Sequence, residues 1–245
     1  MTENMKVEIC ANSYQSAINA EKAGADRIEL CSELAIGGIT PSYGLLKKVM
    51  NALTIPVHVL IRPRSGDFTF SDVEFEIIKE NILLCKELGV TGIVSGVLHL
   101  DNTIDFERTK ELVALSKPMN FTFHRAFDWT QNPLEALKNL EEIGVVRILT
   151  SGQETSSEKG INNLVAWNMS TNITIMPGGG INKNNVQLFQ ENGFQEIHLS
   201  ATKQTQTINK PSISMNSSKH FDETQIAVSD IQQIKNCIEI LSNEN

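Results

Sequence analysis

The sequence predicts a single (β/α)₈ barrel spanning residues 1–245. Three observations carry that expectation. A helix-stop-strand segment recurs as AGADRIELC, LGVTGIVSG, IGVVRILTSG and NGFQEIHLS, each with a glycine (Gly24, Gly89, Gly144, Gly193) ahead of a short apolar strand. Strands and amphipathic stretches alternate strictly, as a parallel sheet requires. The length of 245 residues matches one barrel. A doubly wound open sheet would carry a glycine-rich turn after its first strand, and here that turn reads CANSYQS.

Taken in order, the first strand is VEICA (7–11), and the second, at 27–32, follows the Gly24 stop. A long glycine-rich connection, CSELAIGGITPSYG, comes next. Pro56 leads into the third strand, 57–63. In SDVEFEIIKENILLCKELG, Phe75, Ile78, Ile82, Cys85 and Leu88 fall on one helical face. Gly89 stops that helix before a strand at 92–98, and Pro118 precedes the strand at 120–126. The remaining strands fall at 147–152, 173–177 and 196–201. A polar stretch at about 203–228, read as a long loop or lid, separates them from the last helix, SDIQQIKNCIEIL.

Composition narrows the function. Twenty-one Lys and Arg against 29 Asp and Glu give a net charge of −8, which disfavours nucleic acid and anionic membrane surfaces. No apolar run reaches spanning length, and Met1–Lys6 does not begin a signal peptide. The four cysteines lie far apart without CxxC spacing, so reduced thiols and a cytoplasmic location are expected.

Strand residues alternate between faces, and a barrel's outer face lies under helices. Polar positions therefore point inward. This parity turns Glu8 and Cys10, Glu29 and Cys31, His58 and Arg62, Thr122 and His124, and His198 and Ser200 into the barrel. Barrels normally fill that space with branched aliphatics, so the polar set points to a functional interior. Buried charges must pair or meet a ligand, and Glu8 or Glu29 is expected to hold Arg62. At the strand ends, Arg62, Arg64, Asp67, Arg125 and Ser151 form a candidate ligand-binding set. Gly178, Gly179 and Gly180 join it as an anion cradle, with Asn182 expected to cap a following helix. The interior has no strand-one HxH for a metal hydrolase and no strand lysine for a Schiff base; Lys203 lies just past the last strand.

With these residues assembled, the chain resembles the CutC family. The matching stretches are VEICANS, AGADRIELCSELAIGGITPSYG, IRPRSGDF, TFHRAFD, ILTSG, MPGGGI and IHLSATK, over about residues 6 to 203. The resemblance implies a cytoplasmic barrel that self-associates as a dimer or tetramer, with a role in copper homeostasis resting on the thiols at Cys10 and Cys31. The residues themselves fit part of this. E-x-C occurs twice on neighbouring strands about 4.8 Å apart, where two inward thiolates can bracket one Cu(I) or serve as small buried apolar groups. The alternative reading is an enzyme acting on a small anionic metabolite. There Arg62, Arg64 and the glycine run would hold the anion, and Glu8 or Glu29 would act with His124 or His198 as base and acid, beside His58.

Overall fold

A computed structural model describes residues 5–215 and 221–242. Eight parallel strands form the barrel: β1 (Lys6–Ala11), β2 (Arg27–Leu30), β3 (Val57–Leu60), β4 (Gly92–Ser95), β5 (Asn120–Phe123), β6 (Arg147–Thr150), β7 (Thr174–Pro177) and β8 (Glu196–Leu199). They pair in the order β7-β6-β5-β4-β3-β2-β1-β8, and a parallel bridge between Gly178 and His198 brings the two ends together. A side chain at Gly178 would put its Cβ 2.4 Å from Leu149 Cδ1, so the closure depends on glycine there.

The intervening helices are α1 (Tyr14–Ala23), α2 (Tyr43–Met50), α3 (Asp72–Glu87), α4 (Phe106–Ser116), α5 (Pro133–Glu142), α6 (Ile161–Asn168), α7 (Val186–Glu191) and α8 (Ile231–Ser242). Their ends follow from the sequence. Gly24 closes α1 in the left-handed conformation, φ 91°, with its N–H bonding the last turn. Ser71 and Glu74 form a reciprocal capping box that starts α3. Phe75, Ile78, Ile82 and Cys85 bury the inner face of α3 as the spacing predicts.

The main hydrophobic core lies between strands and helices. It holds the outward strand residues, among them Val7, Ile9, Ile28, Leu30, Val59, Phe123 and Ile197. Inside the barrel, Cys10, Cys31, Leu60 and Val94 form a small apolar cluster, and Leu149 and Met176 are buried among the polar groups. Charged and polar side chains, Glu8, Arg27, Glu29, His58, Arg147 and Glu196 among them, fill much of the remaining interior.

Two expectations change. The strands are shorter than the sequence predicts, so Arg62, His124, Ser151 and Ser200 lie just past strand ends. For β3 the cause is Thr40, which accepts the Arg62 N–H at its Oγ1 (2.8 Å) and donates its own N–H to the Arg62 carbonyl (3.0 Å). The 203–228 stretch is not an unstructured loop. It carries an antiparallel ribbon, β9 (Thr202–Gln206) and β10 (Gln225–Ser229), while residues 216–220 lie outside the described residues. The ladder satisfies the backbone of a wholly polar strand, TKQTQ, against a partner, QIAVS, that carries three apolar residues. Asn12 and Asn19 fix β10 to the barrel by donating to the carbonyls of Ala227 and Ser229.

Candidate metal and ligand site at the barrel mouth

The interior polar groups are stacked in levels set by strand register. Glu8 pairs in register with Arg27 on one side and His198 on the other. Arg27 Nε donates to Glu8 (2.5 Å) and its Nη2 donates to Glu196 (2.5 Å). Arg147 grips the same Glu196 carboxylate with two bonds of 2.6 and 2.9 Å. Two carboxylates and two guanidinium groups thus neutralise one another, all buried. Burial pushes Glu8 toward the neutral form, but Arg27 and the His198 hydrogen bond outweigh it and hold the carboxyl well below its usual range. Parity could have revealed Arg27, which alternates in step with Glu29, and Glu196, in step with His198.

This network corrects the expected partner of Arg62. Neither Glu8 nor Glu29 holds it. Arg62 instead donates to the backbone carbonyls of Ile36 (3.1 Å), Gly38 (3.1 Å) and Gly66 (2.7 Å). Glu8 is already taken by Arg27, and the early end of β3 carries Arg62 into the loop after β2. His58 is also deep in the barrel, 2% exposed, with Nδ1 3.6 Å from Glu8. Burial pushes its pKa down to about 4, so it is neutral at pH 7.

Toward the mouth the level changes character. Cys10 Sγ lies 3.7 Å from Cys31 Sγ and 4.0 Å from Glu29 Oε1. Cys10, Glu29 and His198 each offer one ligand-type atom, all within 4.8 Å of one another. The hydrogen bond with Cys31, together with burial, pushes the Cys10 thiol well above its ordinary value. Glu29 Oε2 is buried with no partner, and burial raises that carboxyl to about 7. His198 Nδ1 lies 2.8 Å from Glu8 Oε1. Although burial opposes it, this bond and the nearby carboxylates raise the His198 pKa.

Above these groups opens a cavity of about 240 Å³. Cys10, Glu29 and His198 reach it, as do Arg62, His124 and Phe68 on one side and Arg125, Gly179, Gly180 and Ser200 on the other. His124 Nδ1 accepts the Ala126 N–H (3.3 Å), which assigns the ring proton to Nε2. Burial, reinforced by Arg62, pushes His124 down to about 3 and keeps the ring neutral. The Asp128 carboxylate organises the wall after β6. It accepts from Arg125 Nε, Thr150 Oγ1 and the backbone N–H groups of Ser151 and Gln153. Asp128 and Phe68 carry no signal in strand parity, since Asp128 lies in the 3₁₀ turn Arg125–Trp129 after β5 and Phe68 in the loop after β3.

Other expected site residues lie elsewhere. Arg64 bonds Glu74 (2.5 Å) and Asp67 (3.2 Å) at the start of α3, and neither Arg64 nor Asp67 borders the cavity. Pro63 intervenes between Arg62 and Arg64, outside any strand, and Arg64 is drawn to the helix-capping Glu74. Of the glycine run, Gly179 and Gly180 border the cavity while Gly178 sits at the barrel closure, and the run does not open a helix. α7 begins at Val186, and Asn185, not Asn182, is its N-cap residue. Lys203 is exposed on the ribbon, and among the described residues none of 203–228 borders the cavity. Cys85 and Cys237 are buried in the outer core, away from the mouth.

The model of the CutC family matches residues 5–203. The chain belongs to the CutC family. The CutC protein of Proteus mirabilis (strain HI4320) is 45% identical over 222 residues, 89% of each chain. That of Salmonella typhimurium (strain LT2) is 46% identical over 198 residues, covering 80% of this chain and 79% of its own. Among solved structures, the Streptococcus agalactiae CutC superposes with a TM-score of 0.75 at 35% identity, over 79% of this chain and 97% of its own. Its description provisionally assigns that protein to copper homeostasis. The family match therefore ends where the β9–β10 ribbon begins, and it contains every residue of the Cys10–Glu29–His198 group. Among the described residues, no helix of this CutC-family chain is long and apolar enough to cross a membrane.

Proposed function

We propose that this chain is a copper homeostasis protein that binds Cu(I) through Cys10 and Cys31. The observation that carries the proposal is the 3.7 Å separation of the two buried sulfur atoms at the floor of the mouth cavity. Soft thiolate ligands select Cu(I), and both sulfurs can turn toward an ion between them. Glu29 and His198 flank Cys10 and offer a third donor. The description of the S. agalactiae relative supports the same role. The four free thiols support a cytoplasmic, reducing location. Exposed Ile213 and Met215 on the ribbon arm support self-association as a dimer or tetramer, which light scattering measures.

The test is a competitive Cu(I) titration against a chelator of known affinity. Cys10→Ser and Cys31→Ser should each weaken binding by more than the roughly 10–100-fold that loss of an outer partner costs. Cu(I) binding equal to wild type in both variants would refute the thiol site.

A further inference from the structure

We propose that the upper wall of the mouth cavity, formed by Arg62, His124 and Arg125, is a binding subsite for the oxyanion group of a small molecule, a carboxylate or a phosphate. The inference is separate from the copper reading, because none of these three groups is a soft metal ligand in the arrangement seen. It begins with Arg62. Its residue exposure is 5%, and its partners are three backbone carbonyls. Among the described residues no carboxylate lies within ion-pair distance of its guanidinium. A buried charge in a folded chain is normally paired, and the barrel base follows that rule with Arg27 and Arg147. The mouth does not.

The second observation is the orphaned donors. Arg62 Nε is buried without a partner, and so is His124 Nε2. The Ala126 N–H on Nδ1 makes that His124 nitrogen a donor. Native interiors leave few polar groups unsatisfied, and here two donors stand together at one cavity. Phe68 keeps them together. Its ring lies 4.9 Å from the Arg62 guanidinium carbon and 4.8 Å from the His124 ring centre. An acceptor oxygen satisfies both donors, and an anionic one also balances Arg62.

The third observation is the opposite wall. Asp128 and Ser151 hold Arg125 through Nε (2.8 Å) and Nη2 (2.7 Å), leaving Nη1 toward Gly179. Gly179 has φ 111°, and a Cβ there would sit 3.4 Å from both Arg125 Nη1 and Ser151 Cβ. The missing side chain keeps that corner open. A cavity of about 240 Å³ admits a ligand of a few heavy atoms beyond the oxyanion, with Leu60, Leu149 and Leu199 against its apolar part.

Calorimetric titration of the full chain with malonate and with inorganic phosphate tests the proposal, with sodium chloride at matched ionic strength as control. Saturable binding is expected for at least one probe. Malonate alone assigns a carboxylate ligand, phosphate alone a phosphorylated one, and both an oxyanion site indifferent to the group. His124→Phe keeps the ring packing against Phe68 and removes the donor, and Arg125→Met removes a half-exposed charge at little risk to folding. Each should weaken binding about tenfold or more. Absence of saturable binding of both probes, or equal affinity in wild type and both variants, would overturn the subsite.

Discussion

Replacing Glu29 by Gln keeps the side chain's volume and removes its charge, and the structure fixes the sign of the result. Sequence reading offers Glu29 as a partner for Arg62, and breaking such a buried pair would cost about 3–5 kcal/mol. In the fold Glu29 has no cationic partner in contact: Oε2 is unpartnered and Oε1 faces a thiol at 4.0 Å. Burial raises its pKa from the usual 4.5 to about 7, with the Glu8 charge adding to the rise and His198 and Arg27 opposing it. The folded state therefore holds this proton more tightly than the unfolded chain. The stability it contributes is complete below pH 4.5 and is lost as the pH rises through about 7. A shift of that size corresponds to about 3 kcal/mol, and interaction with its charged neighbours makes about 1–3 kcal/mol the working range. Glu29→Gln should match wild type in acid and be more stable by that amount at about pH 8. Each kcal/mol moves the melting temperature by about 2–4 °C in a chain of this length. Urea and thermal unfolding of the metal-free protein at the two pH values read it. A destabilised variant at the higher pH would refute the reasoning and restore an ion pair to Glu29.

Two further outcomes follow from the same interior. His58 and His124 stay neutral in the fold down to about 4 and about 3, while in the unfolded chain they take up protons below 6.5. Stability should therefore fall as the pH drops below 6.5; with Glu29 offsetting one proton, the net slope is about 1.4 kcal/mol per pH unit, and His124→Phe should flatten it in denaturant titrations. At the barrel base, Glu196→Gln leaves Arg27 and Arg147 short of a counter-charge, so it should cost about 3–5 kcal/mol in unfolding free energy. A loss below about 1 kcal/mol, the worth of an exposed pair, would show that water reaches the base and screens it.

The legible part of this molecule is the part governed by period. Glu8, Cys10, Glu29, Cys31, His58 and His198 alternate with apolar residues that must lie under helices, so their inward direction follows from sequence. Their partners do not follow. Whether Glu8 meets Arg27 or Arg62 depends on the stagger between adjacent strands, and the register of β1 on β2 puts Glu8 level with Arg27. Parity also stops at the strand ends. Arg62 and Arg64 share a parity on either side of Pro63, yet one is buried at the cavity and the other pairs with Glu74 of the α3 capping box. The ribbon was illegible because TKQTQ is polar on both faces, so no buried side sets an alternation.

The contrast between the two ends of the interior separates stability from function. At the base every charged group has a counter-charge within 2.9 Å, and the register alone explains the arrangement. At the mouth Glu29 Oε2, Arg62 Nε and His124 Nε2 are buried without partners. Each unsatisfied group costs about 1–3 kcal/mol, which is a large fraction of the stability of a typical domain. A purely structural polar interior would have no reason to gather three such groups around one cavity, when deeper in the barrel, among the described residues, His58 Nδ1 alone lacks a hydrogen-bond partner. Glu8 joins the two regimes. It takes its charge balance from Arg27 below and fixes, through Nδ1, the His198 ring that stands in one group with Cys10 and Glu29. The paired base thereby orients a group of the unpaired mouth, in the way an outer carboxylate orients a ligating histidine.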